Sequence, residues 1–208
     1  MKIVKESCVE SLSEAIKAEQ NGADRIELCS RLDLGGLTPK RELIRHVSYR
    51  LKIPIKVMIR PRAGNFIYNS LELEQMKDDI LFCKSFDVKG VVFGILDNKN
   101  SIDVKSTTAL TTISKGLEVT FHKAIDEVIS IFDALDILMM ETNVCSVLTS
   151  GGEKSAESGV DILKKMVQKA KNKLTIIPAG SITNKNIDIL HYAIGASEYH
   201  GRRIVDIS

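Results

Sequence analysis

A chain of 208 residues that is 27% charged and carries a formal net charge of +2 has neither the basic surface nucleic acid requires nor a polybasic membrane patch, so a small neutral or anionic ligand fits better. No apolar run reaches the roughly 18–20 residues that span a bilayer, and Met1-Lys2-Ile3-Val4-Lys5-Glu6 lacks the apolar core of a secretory signal, which makes the cytoplasm the expected setting. The length suits a single domain over 1–208, at the lower limit for an eightfold βα barrel.

Short β-branched runs alternate with stretches of helical period along the whole chain, the pattern of repeated βα units around a parallel sheet. Strands are expected near Ile3 to Glu6, Arg25 to Leu28, Ile55 to Ile59, Gly90 to Phe93, Glu118 to Phe121, Cys145 to Leu148, Leu174 to Ile177 and Glu198 to Tyr199. Helices fall between them, roughly Ser11 to Asn21, Lys40 to Leu51, Ser70 to Phe86, Val104 to Lys115, Ser130 to Glu141, Ser158 to Lys171 and Lys185 to Ala193. Ser11, Ser70 and Thr183 stand where N-caps belong, and Gly22, Gly116 and Gly195 where helices stop. Eight strands predict an α/β fold, a TIM (β/α)8-type barrel; the short stretch after His200 leaves no room for the last helix. A barrel without that helix leaves strands one and eight partly uncovered, which predicts a homo-oligomer.

Side chains alternate along a strand, so in a barrel one parity faces the lumen. That parity groups Val4, Glu6 and Cys8; Arg25, Glu27 and Cys29; Lys56, Met58, Arg60 and Arg62; Thr120 and His122; and Glu198 and His200. Ionisable groups on successive strand ends are costly unless paired. They mark either a functional cluster at the carboxyl face or a salt-bridge network that fixes register.

Within that ring Glu6, Glu27, His122 and Asp126 are the candidates for general acid-base work, the last two set one turn apart after strand five. Arg60 and Arg62, in Arg60-Pro61-Arg62, suit a carboxylate or phosphate, with Phe66 and Tyr68 on a following loop that could close over it. Small turns at Thr149-Ser150-Gly151-Gly152, Ala179-Gly180-Ser181 and His200-Gly201-Arg202 add an oxyanion site after the later strands. The substrate-binding set is therefore Arg60, Arg62, Thr149, Ser150, Gly180, Ser181, His200 and Gly201. Cys8 and Cys29, read as lying just past strands one and two, form a thiol pair suited to copper as Cu(I), although a free cysteine is also an ordinary small core residue. Cys83 and Cys145 are read as packing residues, and the absence of CxxC spacing argues against a disulfide framework.

Six motifs in this order resemble those of the CutC family over nearly the whole chain: Asn21 to Cys29, Gly35-Gly36-Leu37-Thr38-Pro39, Met58 to Arg62, Thr120 to Asp126, Leu148 to Gly151, and Glu198-Tyr199-His200. The resemblance implies a cytosolic barrel linked to copper tolerance, to which copper binding is attributed, with no settled reaction. Lys123 stands where the family usually has Arg, Ile125 where it has Phe, and the C-terminal stretch is largely missing. Two functions follow as expectations: a Cu(I)-binding copper-homeostasis protein, or an enzyme acting on a small phosphorylated or carboxylated metabolite.

Overall fold

The computed structural model describes residues 3–171 and 173–207; Met1 and Lys2 of the opening segment lie outside them. The chain alternates β1 (Val4–Val9), α1 (Leu12–Gln20), β2 (Arg25–Leu28), α2 (Arg41–Arg50), β3 (Ile55–Met58), α3 (Ser70–Cys83), β4 (Gly90–Phe93) and α4 (Val104–Ile113). It continues through β5 (Glu118–Phe121), α5 (Ile131–Glu141), β6 (Ser146–Thr149), α6 (Val160–Ala170), β7 (Thr175–Pro178), α7 (Ile187–Ile194) and β8 (Glu198–Gly201). All eight strands are parallel neighbours in the order β7-β6-β5-β4-β3-β2-β1-β8, the TIM-type barrel expected. No helix follows β8 among the described residues.

Several boundaries move from their expected places, each for a local reason. Cys8 lies inside β1, which runs to Val9 because Cys29 N–H donates to Val9 O and extends the β1–β2 ladder. Asn69, one residue before Ser70, caps α3 through a reciprocal box with Glu72, which satisfies the first free N–H groups of the helix. Asn186 rather than Thr183 precedes α7; Thr183 instead pairs with Asn186 Oδ1 in the turn before it. Ser11 does cap α1, and Gly195 closes α7 in the left-handed conformation.

One face of the strands packs on the helices. Ile26, Leu28, Val57, Val91, Phe93, Phe121 and Val147 meet Ile44, Val47, Met76, Ile80, Leu163 and Met166 in the main core. The other face fills the lumen with polar groups. Lys56 is buried there and donates to Thr120 Oγ1 at 2.9 Å and Ser146 Oγ at 3.4 Å, with Glu118 Oε2 at 3.6 Å. Across the same lumen Arg25 pairs with Glu6 and with Glu198, the latter at 2.5 Å. Such pairs hold register but are poor substitutes for apolar packing in stability.

Closure is incomplete at the seam between β7 and β8, which share no ladder among the described residues. The chain bridges the seam just beyond the strands, where Thr183 pairs with Arg203 and Asn184 N–H donates to Arg203 O at 2.9 Å. Gly201 makes this approach feasible: a Cβ there would stand 2.2 Å from Ile182 O. The candidate site opens directly over this seam.

Candidate functional site

The ends of β1, β2 and β8 bring together two thiols, two carboxyls and an imidazole. Register sets Cys8 opposite Glu27 and Glu6 opposite His200, so the lumen-facing parity of three neighbouring strands converges. Cys8 Sγ and Cys29 Sγ are 3.8 Å apart, and Glu27 Oε2 lies 3.3 Å from the first and 3.4 Å from the second. His200 Nδ1 is 2.9 Å from Glu6 Oε1, which leaves Nε2 facing Glu27 Oε2 at 3.7 Å. Ligand atoms of Cys8, Glu27 and His200 all fall within 4.8 Å of one another.

The electrostatics follow from this packing. Burial alone would raise Glu6, but the hydrogen bond to His200 and the Arg25 charge hold its carboxyl down to about 2. Burial pushes Glu27 up to about 8, only partly opposed by the His200 charge, so it keeps its proton near neutrality. His200 moves the other way: burial disfavours its charge, but Glu27, Cys8 and Glu6 outweigh burial and raise it well above the usual imidazole range. The thiols titrate as a pair. Their mutual hydrogen bond lowers Cys8 to about 5 and lifts Cys29 well above its ordinary value, so one proton leaves early and the second is retained.

Cys8 and Cys29 occupy diagonal rather than opposed positions, since Cys8 pairs with Glu27 and Cys29 lies two residues on. A diagonal offset sets Cα atoms roughly 7–8 Å apart, beyond the usual reach of a disulfide. The donor set therefore suits a soft ion placed between two reduced sulfurs, with His200 Nε2 as a third donor once the ion displaces its proton.

These groups floor a cavity of about 350 Å³ whose lining also includes Leu32, Gly35, Lys123, the chain from Ala179 to Thr183 and that from Gly201 to Arg203. Gly180 and Ser181, both at positive φ, turn the chain tightly at the end of β7 and form part of that lining. Of the residues picked from sequence, Cys8, Glu27, Cys29, Gly180, Ser181, His200 and Gly201 line this cavity. Glu6 stands behind His200 as its partner.

The others are brought close but engaged elsewhere. Arg60 donates through Nη1 to Leu34 O and Gly36 O and through Nη2 to Gly64 O, tying the loops after β2 and β3 together. Arg62 pairs with Glu72 at 2.5 Å and donates to Asn65 O and Ile67 O, so it organises the Phe66–Tyr68 loop. Asp126 accepts from Thr149 Oγ1, Ser150 N and Gly152 N and pairs with Lys123 at 2.6 Å; Thr149 and Ser150 thus anchor the turn after β5. His122 is buried against Phe66, accepts from Ala124 N–H at Nδ1, and is driven down to about 3 by burial and the Arg60 charge. Its Nε2 has no partner among the described residues.

Sequence reasoning missed Leu32, Gly35, Lys123 and Arg203 as lining groups. Leu32 and Gly35 arrive because the β2–α2 loop folds back on itself through the Ser30–Leu37 bridge, an irregular turn that no helical or strand period announces. Of the two cysteines read as packing residues, Cys83 is buried on α3, its thiol pushed up to about 12 by burial, but Cys145, just ahead of β6, is exposed.

A family model for the CutC family matches residues 3–205. The chain belongs to the CutC family. It is 41% identical over 195 residues to the human copper homeostasis protein cutC homolog, covering 94% of this chain and 71% of the human one. A CutC crystal structure from Streptococcus agalactiae superposes with a TM-score of 0.93 at 31% identity, covering 98% of this chain and 100% of that one. Sialic acid aldolase of Ruminococcus gnavus, 10% identical with a TM-score of 0.68 over 97% of this chain and 67% of the aldolase, shares the fold alone. CutC membership places the chain among copper homeostasis proteins. No helix among the described residues is long and apolar enough to cross a membrane.

Proposed function

We propose that this CutC protein binds Cu(I) as its cargo in the cytoplasm, through the sulfurs of Cys8 and Cys29, with His200 completing the site. The observation that carries the reading is the buried pair of free thiols, 3.8 Å between sulfurs, at the floor of an open cavity. Glu6 supports it by holding His200 through Nδ1, which directs Nε2 toward the thiols, the way a carboxylate orients a metal-binding imidazole. The test is Cu(I) titration against a chromophoric competitor. Cys8→Ser and Cys29→Ser should each weaken binding by at least about 100-fold, more than the loss of an outer partner usually costs. Unchanged affinity in both variants contradicts the proposal.

A second reading, acid-base chemistry on a small phosphorylated or carboxylated metabolite, draws on one observation: Glu27, which keeps its proton near neutrality, and His200 both face a cavity far larger than an ion. In that reading Glu6, Glu27, His122 and Asp126 make up the acid-base set, and the turns at Gly180 and Gly201 receive the anion. A thermal-shift screen against sugar phosphates and carboxylates tests it; no stabilisation by any of them sinks it.

A further inference from the structure

The cavity is lopsided in its chemistry. Its floor carries the two sulfurs, Glu27 and His200, whereas its outer end carries Lys123, Arg202 and Arg203. Among the described residues Glu27 is the one carboxyl lining it, and it sits at the buried end against both sulfurs. The outer cations are partly engaged: Lys123 pairs with Asp126 at 2.6 Å, and Arg202 reaches Glu10 and Glu14 at 3.5 and 3.7 Å. Neither Arg202 pair is close, and its side chain is more than half exposed, so it remains available to a ligand at the rim.

Size adds a second constraint. A single water occupies roughly 30 Å³ of liquid, and small-molecule sites begin near 300 Å³. At about 350 Å³ the cavity has room for an organic molecule beside an ion at its floor. Three protein donors, Cys8, Cys29 and His200, still leave a fourth position on Cu(I) for a soft ligand from the cavity side.

We propose that the cavity receives Cu(I) together with a low-molecular-mass thiol that bears carboxylates, its sulfur meeting the metal over Cys8 and Cys29 and its carboxylates meeting Lys123, Arg202 and Arg203. Copper then enters as a small thiolate complex, and the protein's thiols displace some of that complex's ligands without any change in oxidation state. Any proton that a Cys sulfur still carries passes to the departing thiolate or to solvent as the Cu–S bond forms and the old Cu–S bond breaks. This inference rests on the copper reading and adds the identity of the co-ligand.

The experiment uses the whole protein, first loaded with Cu(I) and assayed for bound metal, then titrated calorimetrically with mercaptosuccinate, 2-mercaptoethanol and succinate. The loaded protein should bind mercaptosuccinate at least about tenfold more tightly than either of the other two, the gain expected of a charge-assisted contact. Arg203→Ala, at an exposed position, should shrink that preference several-fold, while a far-ultraviolet spectrum confirms that the variant is folded. Equal affinity for mercaptosuccinate and 2-mercaptoethanol overturns the anionic subsite. Equal affinity for mercaptosuccinate and succinate overturns the sulfur contact. Failure to load copper at all overturns the copper reading itself, and this proposal with it.

Discussion

At the scale of single residues, the barrel mouth uses the same side-chain types in opposite ways. Glu6 is ionised because an imidazole and a guanidinium face it, while Glu27, on the next strand, is protonated because burial dominates. His200 is raised above the usual imidazole range by the acidic groups packed around it, and His122, shut behind Phe66 and beside Arg60, is driven down to about 3. His122 gives the pH dependence that is simplest to isolate. Its folded pKa of about 3 lies below the ordinary imidazole value of 6.5, so folding excludes a proton that the unfolded chain accepts. The resulting stability is complete above pH 6.5 and is lost as pH falls from there toward 3. Arg60 and Asp126 are the charged groups that act on it, one opposing and one favouring its protonation. In His122→Asn, which can still accept from Ala124 N–H, the midpoint of thermal unfolding should vary less between pH 6.5 and 3 than in the parent. An unaltered slope would show that His122 already titrates normally in the fold. Glu6 overlaps the lower part of that window, contributing stability that disappears as pH falls from 4.5 through about 2.

At the scale of elements, the period-2 pattern carried most of the information. It correctly grouped Glu6 with Cys8 and Arg25 with Glu27 because a parallel barrel buries both faces of each strand, so parity alone separates lumen from core. Loops were less legible. Arg60 and Arg62 read as free anion ligands in the sequence, yet their donors go to carbonyls on loops whose path depends on contacts some twenty-four or more residues away for Leu34 and Gly36, and on a short local turn for Gly64 and Asn65. Strand contacts also constrain glycine. A Cβ on Gly90 would stand 2.4 Å from the backbone oxygen of Glu118, so β4 and β5 can pair as they do only without a side chain there. Gly90→Ala should therefore destabilise the barrel by about 2–3 kcal/mol in urea unfolding, the scale of a forced backbone shift. Gly116→Ala, where a Cβ meets nothing within 4 Å but φ is +100°, should cost only about 1 kcal/mol of backbone strain. Equal losses at the two positions would contradict the close-approach explanation.

At the scale of the whole molecule, seven α-helices surround the eight strands among the described residues, and the seam between β7 and β8 has no ladder there. On α7, the last helix before that seam, Ile189 and Tyr192 are 73% and 94% exposed. Large apolar groups so fully in water favour burial against a second copy of the chain. Sedimentation velocity should find a dimer or larger species that Tyr192→Glu shifts toward monomer; a monomer across the accessible concentration range would exclude this. The fold was legible because eight βα units repeat, whereas the cavity was only half legible, since its wall is assembled where β7 and β8 approach without pairing. The central claim remains the thiol pair at its floor. Copper K-edge absorption on the Cu(I)-loaded protein tests it most directly: the account predicts a shell dominated by two sulfur scatterers with one imidazole nitrogen, reduced to a single protein sulfur in Cys29→Ser, and a shell of nitrogen and oxygen alone would contradict it.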